Sequence, residues 1–143
     1  MEGGCQCGRI RYTAEVQSDD AYLCHCRMCQ RATGGVSIAF VNLPKAARRW
    51  QVEPEYYASS PIARRPYCKD CGTPLGFEFV DGPNCDLTVG SFDDPSRFMP
   101  TSHFGTESWH AAWLDTTGLP GKRCDENPAL VDRWKKAGLP VPE

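Results

Sequence analysis

The sequence predicts a mainly β fold with short helices and one helix near the C-terminus. Three observations predict it. Twelve prolines and 13 glycines are scattered along most of the 143 residues, which cuts the chain into segments too short for long helices. Several segments alternate apolar and polar residues with the two-residue period of a strand. Seven of the nine cysteines fall into clusters at chelating spacing, a pattern that clips short strands together without a large core.

Taken in order, Arg9 to Val16 reads as a strand with Ile10, Tyr12, Ala14 and Val16 on one face. Ala21 to Cys26 reads as a second strand, leading into a turn rich in cysteine. Arg27 to Thr33 has room for one or two helical turns before Gly34-Gly35 stops them. Val36 to Asn42 is a strand with Pro44 beyond it, and Ala46 to Trp50 fits a short helix or a strand. Glu55 to Ser59 and Ala63 to Tyr67 flank a turn at Ser60-Pro61. Leu75 to Val80, Asp86 to Val89 and Met99 to Phe104 complete the strands, and Ser91 to Pro95 is an acidic turn. Asn127-Pro128 is a helix start, with an N-cap side chain and proline at the first helical position. The segment from Pro128 to Ala137 then carries Leu130, Val131 and Trp134 as an apolar stripe.

The chemistry concentrates in Cys24-His25-Cys26-Arg27-Met28-Cys29. On an extended segment, residues i and i+2 point the same way, so Cys24 and Cys26 can share one ion and a turn brings Cys29 to it. Sulfur ligands at this spacing suit zinc, which takes a tetrahedral shell of sulfur and nitrogen. A closed fourth position makes such an ion structural; an open one admits a substrate thiol or water. His25 points to the opposite side of the segment and is not expected to ligate. Cys5-Gln6-Cys7-Gly8 and Cys68-Lys69-Asp70-Cys71-Gly72 are two further pairs. Together they make a four-sulfur shell, a structural site joining distant parts of the chain. The alternative joins Cys68 and Cys71 to the triplet, which leaves Cys5 and Cys7 without a partner. A third reading takes the cysteines as small buried residues only. Cys85 reads as a buried residue of a strand, and Cys124 lies in a polar tail. His103 and His110 read as ordinary polar residues, His103 with access to a pocket. Trp50, Trp109 and Trp113 read as core or pocket walls, and Asp93-Asp94 as a hydrated turn.

Composition excludes several classes of function. Sixteen basic against 18 acidic residues give a formal charge of −2, with only the pairs Arg48-Arg49, Arg64-Arg65 and Lys135-Lys136. A general nucleic-acid binder needs a basic footprint, so none is expected here. No stretch approaches the roughly 18 apolar residues of a membrane span, so no membrane partner is expected either. The N-terminus has neither a basic region nor an apolar run, so a cytoplasmic location is expected. Clustered cysteines in that compartment read as metal ligands rather than disulfides.

A family resemblance rests on five motifs in order. They are Gly3-x-Cys5-x-Cys7-Gly8; Cys24-His25-Cys26-x-x-Cys29 with Gly34; Cys68-x-x-Cys71-Gly72-Thr73-Pro74-Leu75; Leu87-Thr88-Val89-Gly90-Ser91-Phe92-Asp93-Asp94-Pro95; and Trp113 followed by Leu119-Pro120. The chain resembles the glutathione-dependent formaldehyde-activating enzyme family, which also contains centromere protein V. The resemblance runs from Gly3 to Pro120 and implies an Mss4-like zinc-binding β fold over residues 1–120, followed by a tail over 121–143. It implies two zinc ions per chain, one structural on Cys5, Cys7, Cys68 and Cys71, one catalytic on Cys24, Cys26 and Cys29. The implied activity is that of a carbon–sulfur lyase joining formaldehyde to glutathione to give S-hydroxymethylglutathione. The partners are then a small thiol such as glutathione and an aldehyde, with Arg27, Arg31 or the 48–49 and 64–65 pairs available for carboxylates. The competing function is a non-catalytic zinc-stabilised β module that binds a protein partner.

Overall fold

A computed structural model of the chain describes residues 1–141; the last two residues of the expected tail, 142–143, lie outside the described residues. The chain divides into two units, residues 1–110 and 111–143. All ten strands lie in the first: β1 Glu2–Gly4, β2 Arg11–Ala14, β3 Asp20–Cys24, β4 Ile38–Pro44, β5 Arg48–Trp50, β6 Glu55–Ser60, β7 Ala63–Tyr67, β8 Gly76–Phe79, β9 Asn84–Thr88 and β10 Met99–Phe104. They form a three-stranded sheet in the order β1-β2-β5 and a seven-stranded sheet in the order β10-β3-β4-β9-β8-β7-β6. Every pairing is antiparallel except β10 with β3, which is parallel. The mainly β class read from the sequence holds. The strands at 11–14 and 20–24 are shorter than expected, because the chain leaves each ladder two residues early to turn. Strand β1 has no alternating pattern that would announce it. Residues 45–50 split into a single 3₁₀ turn followed by β5, so both readings of that stretch are realised in succession.

The large sheet has two unlike faces. On one, Val41, Leu43, Cys85 and Leu87 meet Tyr12 and Ala14 of the small sheet and Ile10 just before it, and this is the main core. Tyr12 packs edge-on against Trp50 and Phe92, and its hydroxyl pairs with Ser91 Oγ at 2.8 Å, which satisfies the one polar atom that ring buries. On the same face Glu78 receives Arg48 at 2.9 Å and Arg64 at 2.6 Å. The side chains of the other face follow from the register: Tyr22 opposite Phe40, Cys24 opposite Ile38, Asn42 opposite Asp86, Asp86 opposite Phe77, and Tyr57 opposite Arg65. This face carries a second, smaller cluster of Cys24, Cys29 and Phe40.

One short helix lies at that second face. Helix α1, Arg27–Thr33, is capped by Cys26, whose sulfur accepts the Cys29 N–H at 3.4 Å, and ends at Gly34 in the left-handed conformation. Seven residues are too few for a helix to persist alone. Its anchor is Gln30, a buried amide that donates to the carbonyls of His25 at 2.8 Å, Val36 at 3.1 Å and Ser108 at 3.0 Å.

The second unit contains helix α2, Pro128–Lys136, with Asn127 as its N-cap and proline in its first turn, as the sequence predicts. Trp113, expected as a core or pocket wall, is exposed; it sits in a single 3₁₀ turn. Among the described residues, no helix is long and apolar enough to cross a membrane.

Candidate metal centres

The structure brings Cys5, Cys7, Cys68 and Cys71 together, with all four sulfurs within 4.8 Å of one another. Cys5 and Cys7 follow β1, and Cys68 and Cys71 follow β7. Cys5 Sγ lies 3.5 Å from Cys7 Sγ, which lies 3.7 Å from Cys68 Sγ. Bonds of ~2.3 Å from zinc to sulfur place tetrahedral sulfurs about 3.8 Å apart, so the four fit one ion. They are far too separated for disulfides, whose sulfurs lie about 2.05 Å apart. Backbone and hydroxyl donors already face them. The Ile10 N–H donates to Cys5 Sγ at 3.2 Å, and Thr73 Oγ1 lies 3.1 Å from Cys71 Sγ. The Thr73 hydroxyl and N–H hold the Cys71 thiol down at about 5, so this sulfur is readily the thiolate that a metal needs, whereas Cys7 is pushed up to about 12. Gly72, at φ +75°, lets the chain turn back after Cys71 and donates to the Cys68 carbonyl at 2.8 Å.

Cys24, Cys26 and Cys29 form the other group, again with their sulfurs within 4.8 Å of one another. Among the described residues no fourth histidine, cysteine or carboxylate joins them. Cys24 and Cys29 are buried and Cys26 is half-buried. Cys24 and Arg65 favour the thiolate at Cys29, which is held at about 5; the Arg65 guanidinium donates to its sulfur at 3.4 Å. Cys24 moves the opposite way, raised by its hydrogen bond to Cys29 and by burial. An all-sulfur donor set with a cation behind it fits a soft divalent metal.

His25 does not face this group. It is buried, with Nε2 2.9 Å from His103 Nδ1 and its ring stacked on Trp109. Burial, and then His103, lower its pKa, which favours the neutral ring. The end of β10 closes over the loop: the His25 N–H donates to the Phe104 carbonyl at 2.8 Å, and Gly105, at φ +68°, presses against the Cys26 backbone.

The triplet opens on a cavity of ≈ 330 Å³ with walls of Tyr22, Phe40 and Phe77 and with exposed Met28, Phe79 and Phe104 also lining it. Two charged residues share the cavity. Arg65 is 7% exposed, and its Nε has no hydrogen-bond partner. Asp86 is 9% exposed, and burial raises its pKa; it accepts from Asn42 Nδ2 at 2.8 Å, and Tyr22 lines the same cavity. Of the arginines the sequence offered for carboxylates, Arg48 and Arg64 are taken by Glu78 and Arg27 by Gln30, whereas Arg65, buried beside Cys29, pairs with no carboxylate among the described residues. Cys85 is buried in the main core and Cys124 is exposed in the second unit. Sequence reasoning passed over Gln30, Asn42, Asp86 and Gly105. The usable signal was a charged residue inside an apolar strand, which Asp86 supplies within Asn84–Thr88.

An uncharacterized lyase of Schizosaccharomyces pombe is 34% identical over 83 residues, which make up 58% of this chain and 61% of that protein. The chain therefore spans about three-fifths of the length of this curated relative. The crystal structure of a Rhodobacter sphaeroides protein covers 72% of this chain and 99% of its own, with a TM-score of 0.57 and 19% identity, a likeness of fold alone. The model of the glutathione-dependent formaldehyde-activating enzyme family matches residues 1–108, a span that takes in all seven clustered cysteines, and the chain belongs to that family.

Proposed function

We propose that the chain is a zinc-dependent carbon–sulfur lyase that makes and breaks adducts of a small thiol with an aldehyde, S-hydroxymethylglutathione being the family's example. One observation carries the reading: three sulfurs lie within 4.8 Å of one another, no fourth protein ligand joins them among the described residues, and they open on a cavity large enough for an organic substrate. The name of the Schizosaccharomyces pombe relative, a lyase, agrees with it.

In this reading Cys24, Cys26 and Cys29 hold a catalytic zinc, and Cys5, Cys7, Cys68 and Cys71 hold a structural one. Bound at the triplet, zinc supplies positive charge that favours the thiolate form of a sulfur beside it. The protein's own groups do the rest. Arg65 lies against Cys29 and offsets the negative charge that gathers as thiolates accumulate. The aromatic walls exclude water and confine thiol and aldehyde together, which converts an encounter between two molecules into a step within one complex. Glu78 keeps Arg48 and Arg64 on the opposite face of the sheet, so neither competes with Arg65 for an anionic group in the cavity.

The test is Cys26→Ser in the metal-loaded chain, assayed with glutathione and formaldehyde by exchange spectroscopy of the S–CH₂–OH adduct. Turnover should vanish while one metal per chain persists on the four-sulfur group. Unchanged turnover removes the triplet from the mechanism.

A further inference from the structure

We propose that Asp86 is the acid that delivers a proton to the aldehyde oxygen as the substrate sulfur attacks the carbonyl carbon, and the base that recovers that proton when the adduct is cleaved. The proposal rests on the lyase reading above and names a residue which that reading lacks.

The step balances within the two substrates and one carboxyl group. A sulfur lone pair forms the C–S bond, and the C=O π pair moves onto oxygen. The Asp86 O–H bond breaks as the new hydroxyl O–H forms. The thiol proton, released to solvent when the sulfur ionises, equals the proton that later restores Asp86. No oxidant or reductant is required.

Position supports the role. Asp86 lies on β9 in the middle of the large sheet, on the face where β3 presents Cys24, and it lines the same cavity as Cys24, Cys26 and Cys29. Its surroundings contrast with those of the sheet's other buried acid. Glu78, on the opposite face, is held as a carboxylate by Arg48 and Arg64. Among the described residues Asp86 forms no ion pair; it accepts from the amide of Asn42, with Tyr22 on the same cavity wall. Asn84 Nδ2 donates to Asn42 Oδ1 at 2.9 Å, which turns the Asn42 amide so that its NH₂ meets Asp86. The carboxyl is thus aimed by a chain of neutral groups.

The ionisable groups facing it are few. Among the described residues they are Tyr22 and Cys24 from β3, Cys26 from the loop that follows it, Cys29 from α1 and Arg65 from β7; β4 presents Asn42 and β8 presents Phe77, both uncharged. Burial pushes Asp86 above the usual carboxylate range, the direction an acid working near neutrality needs. A purely structural Asn42–Asp86 pair across two strands would affect stability alone.

The experiment compares the metal-loaded wild type with Asp86→Asn and Asp86→Glu. Each is assayed by exchange spectroscopy with glutathione or 2-mercaptoethanol, and with formaldehyde or benzaldehyde. The expected loss in Asp86→Asn is about 100-fold or more, with loss of the pH-rate limb assigned to the acid. Metal content and Tm should hold, and Asp86→Glu should restore part of the rate. A wild type that accelerates none of the four pairs overturns the lyase reading, and this step with it. An active wild type whose Asp86→Asn variant stays within about threefold overturns Asp86 alone. Should Asp86→Asn not fold, carbon-13 titration of the wild-type aspartate carboxyls decides the matter: one must titrate above the ordinary aspartate value. If none does, the proposal is overturned.

Discussion

Gly105→Ala should loosen the cysteine triplet while leaving the four-sulfur group intact. Gly105 sits at φ +68°, where a residue with a β-carbon costs about 1–2 kcal/mol. An added Cβ would also lie 2.7 Å from the Cys26 nitrogen and 2.8 Å from its Cβ. Ordinary contact begins near 3.4 Å, so Cys26 would have to retreat by about 0.7 Å. Metal–ligand distances tolerate only about 0.2 Å, so the displacement should reach the sulfur as a weakened bond. Both obstructing atoms belong to the ligand itself, and no flexible side chain can swing aside to relieve them. We expect a global destabilisation of about 2 kcal/mol and selective loss of one metal per chain under mild chelation. Metal analysis with thiol counting reads this directly: three cysteines should become reactive before the other four. A variant that keeps both metals with wild-type release rates would show that the end of β10 does not support the ligand loop.

Three further outcomes follow from the same geometry. Glu78→Ala strands the buried Arg48 and should cost about 3 kcal/mol in urea unfolding, since removing one partner of a buried ion pair leaves a charge uncompensated; a loss below about 1 kcal/mol would mean that the stacking of Arg48 on Trp50 suffices to hold it. Glu55 is held at about 2 by Arg9, below its ordinary 4.5, so its contribution is complete above pH 4.5 and fades as pH falls towards 2. The Tm difference between wild type and Glu55→Gln should therefore shrink across that window, and a difference that grows there refutes the assignment. Cys68→Ser opens a clip spanning about 60 residues, and a cross-link of that length is worth about 4 kcal/mol in chain entropy. Its thermal unfolding should resemble that of the fully chelated wild type, and wild-type stability would show that the four-sulfur group is incidental.

The parts of this protein that were legible in its sequence are those whose geometry is local. Alternation in Arg9 to Val16 placed Ile10, Tyr12 and Ala14 on one face, because strand parity is a property of the segment itself. The Cys24-x-Cys26-x-x-Cys29 spacing located one group for the same reason, and Gly34 ended α1 where the pattern stopped. The walls of the cavity were not legible. Phe104 reaches the triplet only because β10 pairs in parallel with β3, some 80 residues earlier, and no short-range signal encodes that choice. Arg65 and Asp86 face one cavity because β7 and β9 flank β8 in the large sheet. Each residue was visible as a charge within a strand, but its destination depends on sheet order.

The two cysteine groups should differ in how firmly they hold metal, for a reason that lies in topology. The four-sulfur group joins the chain after β1, in the small sheet, to the chain after β7, in the large one. Releasing its ion requires the two layers to separate, a motion opposed by the whole core around Tyr12 and Leu87. The triplet comes from the end of β3 and the loop and helix that follow it; beyond the packing of Cys29 on Phe40 and its bond from Arg65, that short helix is tied to neighbouring segments through the amide of Gln30. Local opening there costs only a fraction of global unfolding, so metal should exchange at the triplet while it remains fixed at the clip. On the proposed lyase reading, a centre that must admit and release a sulfur ligand gains from this looseness, and the sheet between the groups keeps it from spreading to the fold.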